Sequence, residues 1–525
     1  MSISLSREAR WVAVIACASL AARVAFAACS DIFQDEALYW WTAFEGPSFS
    51  PAPPLLPLVM RAGGGLLGHG VLAIRAGSLL FGTAAVIVIY LLGRDIYSRR
   101  AGLWAAALFA SCPLFVAAGA VATPDSLLIL LWLLFIYSLW RAAHNEGLRW
   151  WVFAGLVLAV GFYAKYMMVL ALPSAFLVLA GSKEGRARLK TPGPWLAAGI
   201  GLALFLPLFL AWNWGHGWPT FAYHLKARHH WSFSLGTLTI YVLGHLGFLS
   251  PLLCVAVLAV IVRACGAWRR GDWRSAWVAS FGLAPILFFF VPSVFTKRYF
   301  IREHWDAIGY AAGIIGVAAL LGQTSADAPQ AKRRRLLGAA TLAVAVATTL
   351  VFLVGGLWPA LPVSLGLPPS NKKTLGWREL ASRVQELDRR GRTSFIVTDS
   401  FATAVCVGFH LDRRQDIYTL PHRRNVRYGV AYQLGEWGID ARAMFKEHHG
   451  EDAIYVHEYR FSAREGKEDS PELLDRFFRD AIPVDDVYVT YGGKRIRHFG
   501  LFECHTLEAR FRKTGRPPEQ GGENP

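Results

Sequence analysis

Two adjacent carboxylates, Asp35 and Glu36, stand in the run Gln34-Asp35-Glu36-Ala37-Leu38-Tyr39-Trp40-Trp41. Neighbouring residues on a helix point in different directions. One carboxylate can therefore face a substrate hydroxyl while a cation or metal holds the other. A carboxylate serves as general base when it lies within hydrogen-bond reach of the proton it removes. Taken alone, the pair reads as a solvated acidic loop. Other polar groups punctuate an otherwise apolar chain. Asp125 sits in Thr123-Pro124-Asp125-Ser126, where helix capping accounts for it. Lys165 stands by itself between two apolar runs. Residues 215–236 hold His216, Tyr223, His224, Lys226, Arg228, His229 and His230, and residues 296–306 hold Lys297, Arg298, Arg302, Glu303 and His304. Such cations suit a phosphate or pyrophosphate at a membrane surface; the plain alternative is interface charges that snorkel. The His-rich stretch lacks a metal-ligand spacing, so no cofactor is assigned and a divalent metal stays open.

The elements that must position these residues follow from composition. The 525 residues are 54% hydrophobic and 17% charged, with a net charge of +17. A soluble globular chain has about 45–50% apolar and about 25% charged residues. Residues 1–358 carry +15 of the charge and residues 359–525 carry +2, so the basic excess belongs to the apolar part and does not indicate a nucleic-acid binder. A bilayer needs roughly 17–25 apolar residues per helix. Eleven candidate spans result, at about 11–29, 71–93, 101–121, 126–141, 151–164, 166–181, 195–214, 237–262, 276–293, 304–321 and 336–358. Arg23 and Arg75 interrupt two of them and must snorkel or face the bundle interior.

With the N-terminus cytoplasmic, 19 Lys and Arg fall on cytoplasmic segments and seven on outer ones. The positive-inside rule fixes this orientation and supports splitting residues 151–181 at Lys165. It also puts the C-terminal part outside. Arg7 and Arg10 before an apolar run ending Ala27-Ala28-Cys29 resemble a signal peptide or lipobox. An uncleaved first span is preferred, because cleavage would remove the element that sets the topology.

Residues 1–358 thus form an α-helical polytopic membrane domain, 359–370 a Pro-rich linker, and 371–525 a soluble α/β domain. In the last, helices are expected at 376–390, 400–410 and 471–480, and strands at 394–397, 416–420, 453–457 and 487–491. It has no Gly-rich phosphate loop and no nucleophile elbow. Arg427, Tyr428, Tyr432, Gln433 and Trp437 form a polar-aromatic cluster that suits a sugar or an ordinary loop. Cys406 and Cys504 share this domain and can pair only in an oxidising compartment.

The topology gathers carboxylates, cations and aromatics on the outer face. That equipment suits transfer from an apolar, phosphate-linked donor with a carboxylate as base. A multi-span lipid or solute transporter is the rival; it should show internal repeats and broken helices at midplane, and no repeat is evident. An assembly component without chemistry is a third reading.

At this point the chain resembles the GT-C membrane glycosyltransferases. The resemblance rests on Asp35-Glu36 with Tyr39, then Pro53-Pro54-Leu55, then Pro124-Asp125-Ser126-Leu127-Leu128. It covers most of residues 11–320 and is greatest for family 39 and its bacterial relatives, the protein O-mannosyltransferases and the aminoarabinose transferases acting on lipid A. The resemblance implies a polyprenyl-phosphate sugar donor, an outer-face site and inversion at the anomeric carbon. It implies Asp35 as base, with Glu36 and Asp125 as supporting acids. Lys165, Tyr39, His224, Lys297, Arg298, Arg302 and His304 become candidates for meeting donor or phosphate. One departure stands out: Ala52 occupies the place of a lysine common before Pro-Pro-Leu in that family. The implied protein is a multi-pass enzyme of the bacterial inner membrane, with the α/β domain periplasmic. Its expected acceptor is lipid A or another envelope glycolipid, with protein acceptors as the alternative; no nucleic acid is expected.

Overall fold

The computed structural model describes residues 6–50, 52–145, 147–227, 235–295, 304–323, 328–366, 372–389, 391, 393–459, 461–462, 467–468 and 474–508. Its first part is helical and its last part is a mixed α/β domain. The helices that frame the site are α1 (Arg7–Cys29), α2 (Gln34–Thr42), α3 (Leu55–Leu67), α4 (Val71–Ile96), α5 (Arg99–Ala110), α6 (Pro113–Ala120), α7 (Pro124–His144) and α8 (Arg149–Ala164). A 3-10 turn, Tyr166–Leu170, leads to α9 (Ala171–Ala180), α10 (Lys183–Leu189) and α11 (Pro192–Gly215). Further helices run Leu235–Leu249, Pro251–Arg269, Trp273–Val294, Ala307–Gly322 and Ala328–Leu357.

Among the described residues, seven helices are long and apolar enough to cross a membrane, or nine if each of two bent helix pairs is one span. Shorter apolar helices, among them Arg149–Ala164, Leu235–Leu249 and Ala307–Gly322, lie where further spans are expected, and two of the eleven expected spans are divided. The expected 101–121 span bends by 67° between α5 and α6. Pro113 has no N–H to donate and holds Cys112 extended, which breaks the helix there. The expected 237–262 span is two helices, because Ser250 takes φ 69° ahead of Pro251. The break at Lys165 falls as expected: the residue is extended, at φ −161° and ψ 137°, and ends α8.

Both arginines that interrupt apolar spans are fully buried and face the bundle interior. Arg23 lies against Gly119 of α6, where a Cβ would come within 2.7 Å of its Nε. Among the described residues its guanidinium has no hydrogen-bond partner.

The α/β domain has a five-stranded sheet built from β1 (Phe395–Thr398), β2 (Ile417–Thr419), β3 (Ala453–Glu458), β6 (Phe478–Tyr491) and β7 (Lys494–Leu507). Two short strands, β4 (Phe461–Ser462) and β5 (Lys467–Glu468), pair apart from it. The strand order is β2-β1-β3-β7-β6. β1 is parallel to β2 and β3, while β7 is antiparallel to β3 and β6. All four residues of β1 are buried, as a central parallel strand covered on both faces requires. Helices Trp377–Asp388 and Phe401–Leu411 pack together on this domain. Of the helix expected over 471–480, the described residues hold Leu474–Phe477, and residues 471–473 lie outside the described residues. From Phe478 the chain extends instead, because Phe478 pairs with Leu507 at the end of a long hairpin. Cys406 and Cys504 are separate, buried free thiols, and burial pushes both up from the ordinary thiol range.

Candidate active site

The site begins where α1 gives way to α2. Gln34 starts α2, and Glu36 in its first turn accepts the Phe33 N–H at 2.9 Å, half of a capping box. The same carboxylate is fully buried against Arg75 of α4. Arg75 Nε donates to Glu36 Oε1 at 2.7 Å and Nη2 donates to Oε2 at 2.5 Å. Such a bidentate pair fixes both position and orientation. Arg75 also donates to the carbonyls of Ala27, Ser30 and Asp31, each at 2.9 Å. The Ala122 N–H donates to Glu36 Oε1 at 2.7 Å. Glu36 therefore ties α2 to the segment that opens α7, and its oxygens are committed to holding the fold.

Asp35, one residue earlier, is only half-buried. Among the described residues it has no ion pair; its one side-chain contact is with the Gln34 amide at 3.5 Å. The first helical turn favours its negative charge. Tyr39 follows one turn later on α2 and is half-buried. The two carboxylates are thus divided between tasks, one held by a basic partner and one left available.

Asp125 lies in the first turn of α7 and is buried. Lys165 Nζ donates to its Oδ1 at 2.7 Å, and His304 Nε2 stands 3.9 Å from its Oδ2. The extended backbone at Lys165 aims that side chain towards α7. The structure so brings together Asp125, Lys165 and His304, which are far apart in sequence. His304 remains 42% exposed and Lys165 15% exposed, so both side chains retain access to solvent.

His224 packs its ring edge-on to Tyr166 at 5.7 Å, beside Tyr223. The Phe49 carbonyl accepts from the Tyr166 hydroxyl and from Thr220 Oγ1, the latter at 2.9 Å. The Phe49 ring packs on Tyr163, Phe209 and Trp212. An aromatic wall thus joins the end of the first loop to α8, α11 and the His224 segment. Lys297, Arg298 and Arg302 lie outside the described residues, as do Arg228, His229 and His230. Among the described residues no group of three or more His, Cys, Asp or Glu is placed to hold a metal ion.

The α/β domain sits directly on the first loop. Gly408 lets helix Phe401–Leu411 meet Trp41, since a Cβ there would come within 2.6 Å of the indole ring. His410 contacts Asp31 at 3.2 Å, Arg424 donates to Gln34 Oε1 at 2.5 Å, and Arg414 pairs with Glu45 at 3.1 Å. Burial pushes the Asp31 carboxyl up, but the hydrogen bond and charge of His410 and the Ile32 N–H outweigh it and hold Asp31 below its ordinary value of 3.8. Gln433 donates to the Ser50 carbonyl, Tyr432 meets His216 edge-on, and Tyr428 packs on Phe401. The cluster considered for sugar binding is therefore partly docking surface. Arg424 escaped the sequence reasoning, because no local pattern marks a contact 390 residues away.

Comparison with known proteins agrees with this architecture. Residues 51–212 match the family described as dolichyl-phosphate-mannose-protein mannosyltransferase. YkcB of Bacillus subtilis (strain 168), provisionally named a mannosyltransferase, is 25% identical over 154 residues, which is 29% of this chain. That match spans 22% of the relative's own length. ArnT from Cupriavidus metallidurans, solved with undecaprenyl phosphate bound, superposes with a TM-score of 0.60 at 14% identity, covering 94% of this chain and 98% of that one. The oligosaccharyltransferase AglB from Archaeoglobus fulgidus, solved with an inhibitory peptide and a dolichol-phosphate, gives 0.51 at 11% identity, covering 85% and 69%. The chain is thus similar to that mannosyltransferase family over residues 51–212 and shares the fold of ArnT along most of its length. It is a multi-pass membrane protein.

Proposed function

We propose that the protein is an inverting glycosyltransferase that moves a sugar from a polyprenyl-phosphate donor to an acceptor at the outer membrane–water boundary. The observation that carries this reading is the division of labour between Glu36, locked to Arg75, and Asp35, on the same helical turn and without an ion pair among the described residues. Asp35 takes the proton from the acceptor hydroxyl as that oxygen attacks the anomeric carbon. The polyprenyl phosphate leaves from the opposite side, and its phosphate oxygen gains charge as the bond breaks. Lys165 and His304, held beside Asp125, stabilise that charge. The cations at 297, 298 and 302 extend this role on the reading carried from the family.

The lipid-linked donor is supported by the ligands of the two structural neighbours, undecaprenyl phosphate and a dolichol-phosphate. We place the protein in the bacterial inner membrane with the α/β domain on the periplasmic side. The 19-to-7 distribution of basic residues between the two sets of loops supports that orientation. An envelope glycolipid such as lipid A is the acceptor we favour, because the likeness to ArnT runs through the α/β domain as well as the helices. A protein hydroxyl is the second reading, supported by the family matched over 51–212.

The test is transfer by the purified protein in nanodiscs, offered polyprenyl-phosphate aminoarabinose or polyprenyl-phosphate mannose with either lipid A or a Ser/Thr peptide. Product on one acceptor, lost in Asp35→Asn, supports the reading and chooses the acceptor. No product with any pair, or an undiminished Asp35→Asn, overturns it.

A further inference from the structure

A second polar cluster lies buried behind the site, and nothing in the proposed chemistry uses it. Asp306 precedes helix Ala307–Gly322 and is completely buried. His245 Nε2 stands 2.8 Å from its Oδ1 and 3.1 Å from its Oδ2, and the Tyr241 hydroxyl donates to Oδ2. His245 Nδ1 faces the Tyr241 carbonyl at 2.7 Å. Both ring nitrogens of His245 thus face acceptors, which a doubly protonated ring satisfies. The Tyr310 ring packs on the imidazole at 5.1 Å. Tyr241 and His245 lie one turn apart on helix Leu235–Leu249, so one helical face grips one carboxylate from another part of the bundle.

Apolar side chains would join two helices at lower desolvation cost than a buried carboxylate held by a histidine and a tyrosine. What the trio adds is direction. Three bonds to one carboxylate fix both the height and the rotation of the turn that carries it. That turn is His304-Trp305-Asp306, and His304 is the residue that reaches Asp125. Trp305 packs between them against Phe289 at 6.0 Å.

We propose that Asp306, gripped by His245 and Tyr241, is a positioning residue that sets His304 opposite Asp125 and Lys165, and through it the hold on the donor's phosphate. This rests on the reading of that cluster as the donor-phosphate site. Small misplacements of a positioning group are felt strongly at a reacting centre.

The experiment is a double-mutant cycle on the intact protein in nanodiscs, with Asp306→Asn, His304→Ala and both together. The readouts are donor KM, kcat and melting temperature. Neighbours that share partners are energetically coupled, so Asp306→Asn is expected to raise donor KM about fivefold or more, with kcat nearly unchanged. In the His304→Ala background the same change is expected to add almost nothing. Tyr241→Phe removes one bond of the grip and serves where Asp306→Asn fails to accumulate; it should show a smaller KM rise, likewise absent without His304. Equal effects in both backgrounds, or a fall in kcat and melting temperature with KM unmoved, overturn the proposal. An inactive wild type would instead overturn the underlying reading of the site, so the two failures are separable.

Discussion

Two charged regions lie side by side at the end of the helical bundle, and they are built on opposite terms. In the knot around Glu36 and Arg75 both side chains are fully buried and committed: Glu36 to Arg75 and two backbone N–H groups, Arg75 to Glu36, three carbonyls and the Ser30 hydroxyl. Next to it on α2, Asp35 is half-buried without an ion pair among the described residues, and in the Asp125 cluster Lys165 and His304 keep access to solvent. A saturated charge can do no chemistry without first breaking the structure it holds. An unsaturated one beside it is free to bind or move a proton. The difference locates the reaction more sharply than the acidic motif itself, which contains one residue of each kind.

The comparison breaks most sharply at Asp35. On the proposed mechanism, replacing it with Asn removes the base while leaving the Glu36–Arg75 pair intact. Transfer is expected to fall about 10²–10⁴-fold, with the melting temperature unmoved. Glu36→Gln should do the reverse. It leaves Arg75 buried beside a neutral amide, and losing one partner of a buried pair costs about 3–5 kcal/mol. Thermal unfolding in detergent is expected to show a large drop in midpoint and a poor yield. If Glu36→Gln melted like the parent and merely lost activity, the assignment of the two roles would be reversed.

Lys165 sharpens the open side. A hydrogen bond to a charged group contributes about 1.5–3 kcal/mol, so Lys165→Met is expected to raise donor KM about 10–100-fold with a smaller change in kcat. A change in kcat alone would move Lys165 from the phosphate to the acceptor side of the reaction.

The sequence carried the broad division into apolar helices and an α/β domain because hydrophobic runs and alternating segments are local signals. It also carried the helix break at Lys165, through the charge balance of the loops. It did not carry the breaks at Ser250 and Ser111-Cys112, where a single proline divides an unbroken apolar run. The Asp-Glu dipeptide was legible as two roles, but which residue took which depended on Arg75, forty residues away and readable only as a charge that must face inward. Asp125, Lys165 and His304 were legible singly as polar residues at the ends of apolar runs, while their meeting is a matter of helix packing. The hairpin β6–β7 was half-hidden, since Lys494, Arg495, Arg497 and His498 give its second strand a polar start that reads as loop. The grip of His245 and Tyr241 on Asp306 was invisible, because a lone histidine in an apolar helix reads as filler.

The smallest effect belongs to the seam between the α/β domain and the first loop. Asp31 is held below its ordinary value of 3.8, burial being outweighed by His410 and the Ile32 N–H. A depressed carboxyl contributes stability above its ordinary value and loses it as pH falls through its folded one. The contribution is therefore intact at neutral pH and drains away below about pH 4. The pair is partly exposed, at 10% and 17%, so its worth is about 0.5–1 kcal/mol. Melting curves of the intact protein between about pH 3 and 6 are expected to fall more steeply for the parent than for Asp31→Asn, with the two differing by a small constant above pH 5. Parallel curves across the whole range would show that the His410 contact does not couple the domain to the loop. The docking would then rest on the other contacts of the seam, Trp41 against Gly408, Arg424 with Gln34, Arg414 with Glu45 and Gln433 with Ser50.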